Sequence, residues 1–197
     1  LTKQKAVTSM RRRYIDAGAG GFGEHKPQLP IDDPLNLRLY EACSEVSLPV
    51  LIHLDNQANL DAPGLPGLKN VLTKFPELVL IGHGKGWWAS IAGNLRQDDL
   101  HVGYPGGPVA AGGPIDALMD VHPNLYGDLS SSGAHALLRD KEFGKTFLTR
   151  RSDRLLFGTD YLSPGQAVPQ FELLAGIDLP TDVRAKIYRD NARVLYG

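Results

Sequence analysis

One cysteine in 197 residues, Cys43, leaves the chain no intrachain disulfide, which sets it apart from the small stapled domains of oxidising compartments. Cys43 falls at an apolar position of a predicted helix and reads as a core residue. No apolar run approaches the roughly 20 residues of a membrane span. The opening stretch LTKQKAVTSMRRRYIDAG has no signal-peptide core and reads as an amphipathic helix with Val7, Met10, Tyr14 and Ala17 along one side. Neither sign of charge dominates, with 21 Lys plus Arg against 22 Asp plus Glu, so no net field favours nucleic acid or an anionic membrane, and Arg11 to Arg13 is too short a run to argue for either. GFGEHK is not a GxGxxG and no GxxxxGK occurs, so the glycine-rich phosphate turn expected after the first strand of a nucleotide-binding sheet is missing. These absences leave the expectation of a soluble, cytoplasmic protein acting on a small molecule. Leu1 in place of methionine reads as a start partway through a gene product.

What is present is an alternation. GGFGEHK (20–26) reads as a short strand. In DDPLNLRLYEACSEV (32–46), Asp33 is a helix cap, Pro34 opens the first turn, and Leu35, Leu39, Ala42 and Val46 form the predicted apolar stripe. PVLIH (49–53) is a strand. GLPGLKNVLTKFPEL (64–78) carries Leu68, Val71, Leu72 and Phe75 at helical spacing and stops at Pro76. LVLIGH (78–83) is the next strand, followed by a long segment holding the glycine- and proline-rich loop 101–114, whose length suits a lid and equally a disordered excursion. NLYGDLS (124–130) and RLLFGTD (154–160) are the last two strands, separated and followed by helices. A domain of this size can bury roughly 70% of the surface its unfolded chain exposes. Strands alternating with helices at about 30-residue spacing predict parallel βαβ units, and the missing phosphate turn favours part of a (β/α)8 TIM barrel over an open sheet.

Three of these strands end in a polar group: His53, His83 and Asp160. A single histidine after an apolar strand is more often a hydrogen-bonded core or rim residue. In a parallel barrel, however, all C-terminal strand ends face one mouth, so two imidazoles and a carboxylate converge there, and imidazole nitrogen with carboxylate oxygen is a suitable donor set for zinc and related divalent ions. Alternation in the first strand puts Phe22, Glu24 and Lys26 on one side and Gly23 and His25 on the other. Near the strand ends or in the long loop lie Asp55, Asn56, Lys85, Trp87, Trp88, His101, Tyr104, Ser130 and Tyr161.

PVLIH, FPELVLIGHGKG, NLYGDLSS, DRLLFGTDY and the closing IYRDNARVLYG, taken in order, resemble the successive signatures of the amidohydrolase-related family (amidohydrolase family 2) of metal-dependent hydrolases. The resemblance implies one domain over residues 1–197, the C-terminal part of a βα barrel, with 20–26 as strand four and 154–160 as strand eight. It makes His53, His83 and Asp160 metal ligands, with Glu24 either a ligand in the place of a strand-four lysine, a carboxylate orienting a ligand, or one half of an interior salt bridge. It implies a divalent metal, zinc with manganese or iron as alternatives, and hydrolysis of an ester, lactone or amide by metal-activated water with Asp160 as general base. Decarboxylation by the same ligands, or a silent scaffold working through a partner, are the alternatives. Lys85 is a candidate for meeting a substrate carboxylate and Trp87 or Trp88 for covering an organic ring, against the commoner roles of a surface lysine and core tryptophans, and Tyr161 is a further candidate neighbour of the substrate. The chain departs from the family pattern in having no HxH pair and no room for strands one to three. Exposed sheet edges are then a liability, and a homo-oligomer is one remedy.

Overall fold

The computed structural model describes residues 3–101, 106–131 and 133–197. Its centre is a five-stranded, wholly parallel sheet in the order β1 (Phe22–His25), β3 (Val50–His53), β5 (Leu80–His83), β6 (Leu125–Asp128) and β7 (Leu155–Leu156). A separate parallel pair joins β2 (Leu29–Pro30) to β4 (Asn59–Leu60). The helices are α1 (Lys3–Met10), α2 (Pro34–Ser44), α3 (Pro66–Lys74), α4 (Lys85–Ala89), α5 (Pro114–Val121), α6 (Gly133–Leu138), α7 (Lys141–Arg150), α8 (Gln170–Ala175), α9 (Thr181–Ala185) and α10 (Asn191–Tyr196). The parallel order expected from the alternation of strands and helices is the order observed.

Strand periodicity divides the side chains between two surfaces. Val50, Ile52, Leu80, Leu125 and Leu155 are fully buried, and each such side chain contributes about 1.5–3 kcal/mol relative to exposure. The alternate residues Leu51, Ile81 and Leu156 line a cavity. One rung beyond Leu51 and Ile81, towards the strand ends, come His53 and His83. The β3–β5 register pairs His53 directly with His83. A two-residue period thus delivers both histidines to one face and both to the same height.

Helices are set by local chemistry and then by packing. Asp33 caps α2 by accepting from the Leu35 N–H at 2.8 Å, with Pro34 in the first turn, as the sequence predicts. The buried face of α2 is Asn36, Tyr40, Ala42 and Cys43; of the expected stripe Ala42 is buried and Leu39 and Val46 pack partly against the core, but Leu35 is 62% exposed. The reason is polar. Asn36 turns inward, donating to the Pro30 carbonyl at 2.8 Å and standing 2.9 Å from His25 Nε2, while Asn59 donates to the His25 carbonyl at 2.8 Å. This network ties the end of β1 to α2 and β4. In α3, Leu68, Val71 and Leu72 are buried as expected, with Phe75 at the cap.

Two expected elements are shorter than the sequence suggests. The amphipathic first helix ends at Met10 and continues as a π turn, Arg11–Ile15; Val7 is buried whereas Tyr14 is exposed, and the side chain of Met10 lies outside the described residues. The last strand covers only Leu155–Leu156, and beyond it the Phe157 N–H donates to the Ile187 carbonyl at 2.9 Å, not to a strand. Among the described residues, no helix is long and apolar enough to cross a membrane.

Candidate metal centre

Glu24, His53 and His83 come from the ends of β1, β3 and β5, three neighbours in the sheet. One ligand atom from each lies within 4.8 Å of the others, the tight set of metal-binding groups among the described residues. The two imidazole centroids are 5.1 Å apart. Glu24 Oε1 sits between the rings, touching His53 Nδ1 and lying 3.2 Å from His83 Nε2. Its other oxygen, Oε2, pairs with Lys26 Nζ at 2.8 Å. One carboxylate oxygen thus faces the histidines while the other makes a salt bridge.

The far nitrogen of each ring is also engaged. His53 Nε2 is 3.1 Å from Asp55 Oδ2, and His83 Nδ1 is 2.7 Å from Asp128 Oδ2. A metal-binding histidine characteristically gives its second ring N–H to a carboxylate, which fixes the tautomer and raises the basicity of the ligating nitrogen. Both rings have that arrangement here. A neutral ring that donates to its aspartate has only a lone pair to offer Glu24 Oε1, so two acceptors face each other across the centre. A cation between them resolves the conflict, and the mixed nitrogen and oxygen donor set suits a divalent ion. The residues fit a metal.

Electrostatics follow the same geometry. Burial opposes charge on His83, but the Asp128 hydrogen bond, with the further pull of Asp128, Glu24 and Asp160, raises its pKa above the ordinary value. Burial likewise works against ionising Glu24, yet the Lys26 bond and the two histidines hold its carboxyl below the usual range. For Asp55, burial is outweighed by the backbone N–H groups of Ala58 and Gln57 and by His53, so its pKa is lowered.

Asp160 lines the same cavity of about 310 Å³ as Glu24, His83 and Asp128, but it stands outside the tight three-residue set. It is not carried on the end of a strand: β7 stops at Leu156, and Asp160 follows in a loop with a left-handed φ of 50°. Its carbonyl accepts from Gln166 Nε2 at 2.8 Å, which helps to hold that loop.

Of the candidates for substrate contact, Lys85 and Trp87 take the surface and core places weighed as their alternatives. Lys85 is exposed at the start of α4 and Trp87 is fully buried; neither lines the cavity. A Cβ on Gly82 would stand 2.3 Å from the Trp87 ring, so the indole fills the space left by a missing side chain in β5. Trp88 is buried too and donates to the Asp128 carbonyl at 2.7 Å. Tyr161 is 53% exposed, and its hydroxyl accepts from the Gly165 N–H within its own turn. Tyr104 and the side chain of His101 lie outside the described residues. Asp128 is the group that sequence reasoning passed over. Its signal was present, because NLYGD ends in a carboxylate just as RLLFGTD does, but its partner His83 is 45 residues away.

No curated protein sequence matches the chain. Among solved structures, an uncharacterised TIM-barrel protein from Bordetella bronchiseptica aligns with TM-score 0.61 and 21% identity, over 99% of this chain and 63% of that one. The 2,6-dihydroxybenzoate decarboxylase from Rhizobium gives 0.56 and 19%, over 99% and 68%. A dihydroxybenzoic acid decarboxylase from Polaromonas, solved with manganese and the inhibitor 2-nitroresorcinol, gives 0.56 and 17%, over 98% and 65%. The chain thus spans about two thirds of the length of these neighbours, and its fold is similar to the corresponding part of a TIM barrel. The family model described as amidohydrolase matches residues 1–197, and the chain belongs to that family, amidohydrolase 2.

Proposed function

We propose that this chain carries the metal-dependent site of an enzyme that removes the carboxyl group of a small hydroxylated aromatic acid without an oxidant. The observation that carries the reading is the convergence of Glu24, His53 and His83 at the rim of a cavity whose walls include Leu51, Ile81, Leu156 and Phe157. Apolar walls with a few polar groups at one end suit a flat ring bearing an anionic substituent. The decarboxylases among the structural neighbours support the same reading.

A divalent cation held by Glu24, His53 and His83 would bind the oxygens of the acid and withdraw charge as a Lewis acid. The chain's own residues do the rest. Loss of CO2 breaks the bond between the ring and the carboxyl carbon, and the ring carbon must take up a proton in its place. Of the two carboxylates that line the cavity outside the three-ligand set, Asp128 is held by His83 and Ser130, so the carboxyl oxygen of Asp160 is assigned the transfer of that proton. Asp55 and Asp128 hold the two imidazoles in orientation.

Hydrolysis of an ester, lactone or amide is the second reading, favoured by the same position of Asp160, where a carboxylate can take a proton from an attacking water. The two separate by product. The purified chain, loaded with manganese, is incubated with a panel of hydroxybenzoates and with aryl esters and lactones. Carbon dioxide and the corresponding phenol are expected from the first group. Hydrolysis of the second without carbon dioxide from the first would overturn the decarboxylase reading. The same assay with zinc and iron ranks the metals.

A further inference from the structure

We propose that Ser130 is a positioning residue that, pressed by Gly158, locks the Asp128 carboxylate so that His83 keeps its proton on Nδ1 and turns Nε2 toward Glu24. This rests on the reading of Glu24, His53 and His83 as a metal centre. It adds a group that lies one step behind the ligands.

Ser130 is buried and makes three contacts with the pair. Its backbone N–H donates to Asp128 Oδ1 at 3.0 Å, its hydroxyl donates to Asp128 Oδ2, and its Oγ stands 3.1 Å from His83 Nδ1. A hydroxyl has one proton and a carboxylate only accepts, so that proton belongs to Asp128. The side of Oγ that faces His83 is then a lone pair. His83 Nδ1 looks at two acceptors, Ser130 Oγ at 3.1 Å and Asp128 Oδ2 at 2.7 Å, and only an N–H satisfies both. A bare Nδ1 would face both acceptors with no proton between, in a buried place, a costly arrangement.

The rest of the cradle removes the freedom to rearrange. Trp88 Nε1 pins the Asp128 carbonyl at 2.7 Å. On the other side, a Cβ placed on Gly158 would lie 2.9 Å from Asp128 Oδ1 and 3.0 Å from Ser130 Cβ. The glycine of LLFGTD therefore has a steric reason: the backbone after β7 closes directly on the Asp128–Ser130 pair. Without the Ser130 hydroxyl, Asp128 Oδ2 loses one of its donors and the ring of His83 loses the second acceptor that fixes its tautomer.

The test uses the full chain labelled with ¹⁵N-histidine and freed of metal. Long-range ¹H–¹⁵N spectra are recorded above the pH at which the His83 ring becomes neutral, with His83→Asn identifying its signals. The wild type is expected to show the Nδ1–H tautomer. Ser130→Ala is expected to bring in the Nε2–H tautomer and to weaken manganese binding, read from the electron paramagnetic resonance of free Mn²⁺, by about tenfold. Gly158→Ala, which keeps the hydroxyl but crowds the carboxylate, is expected to do the same and carries the test if Ser130→Ala does not fold. A wild-type ring protonated on Nε2 overturns the inference, and so does an unaltered Nδ1–H signature in a folded Ser130→Ala protein. A wild type that binds no manganese but shows a Ser130-dependent tautomer supports the inference and overturns the metal-centre reading instead.

Discussion

Asp160 separates chemistry from stability more cleanly than any other residue of the cavity. Its backbone is left-handed, with φ of 50°, a conformation that asparagine tolerates better than most residues, so Asp160→Asn removes charge and basicity with little added strain. Turnover is expected to fall by about 10²-fold or more while the melting temperature holds. Leu156→Ala, a truncation in β7 at the cavity wall, should instead cost about 2–5 kcal/mol of stability. Turnover and melting curves on both variants check this, and an active Asp160→Asn enzyme would reduce the aspartate to a structural role. His83 allows a prediction of pH dependence in the metal-free protein. Its folded pKa is raised, so its contribution to stability is complete below the unfolded value of about 6.5 and is lost as pH rises through the folded value. The difference in melting temperature between the wild type and His83→Asn should therefore shrink from pH 6 upward, and subtracting the variant cancels His25, whose pKa is lowered by burial. A gap that widens with pH would reverse the assigned sign.

The strands show how far local pattern reaches. The central strands are legible because runs such as PVLIH and LVLIGH combine β-branched and apolar residues with a two-residue period, and that period alone sets His53 and His83 on the cavity face. Pairs as short as β2 and β4 carry no period at all and could not be read. Leu35 was misplaced because the buried face of α2 is chosen by Asn36 and its hydrogen bonds across the fold, which an apolar stripe does not register. Trp87 was open to a core or a substrate role because it follows a strand end, and its buried site is determined by a glycine five residues earlier. That glycine gives an element-level prediction. In Gly82→Ala the new Cβ would lie 2.3 Å from Trp87, within the parallel ladder of β3, β5 and β6, where neither neighbour can give way easily. Overpacking of this kind costs about 1–3 kcal/mol. Urea unfolding of Gly82→Ala beside a Gly106→Ala control, a position with nothing within 4 Å and no left-handed backbone, should show the loss only in the first; equal stability would mean that Trp87 has room to move.

At the scale of the molecule, the candidate ligands belong to no single element. Glu24, His53 and His83 are up to 59 positions apart in sequence yet stand on adjacent strands, so the site exists only when β1, β3 and β5 are paired in register. A cation that binds this set has negligible affinity for an unfolded chain that cannot bring the three together, and binding must therefore stabilise the folded sheet as a unit. At a free metal concentration of 100 times the dissociation constant the expected gain is about 2.7 kcal/mol. The gain should also have a location. Amide hydrogen exchange should slow together across Phe22–His25, Val50–His53 and Leu80–His83 when manganese is added, and a chelator should restore the original rates. Surface carboxylates offer a contrast, because the exposed Asp98 and the half-buried Asp99 are neighbours in one short turn, and metal caught there would protect only its own neighbours. Protection confined to that turn, with β1, β3 and β5 unchanged, would refute a centre shared by the three strands. Protection that spreads across all three in the wild type but is lost in Glu24→Gln would tie the effect to the carboxylate lying between the two imidazoles.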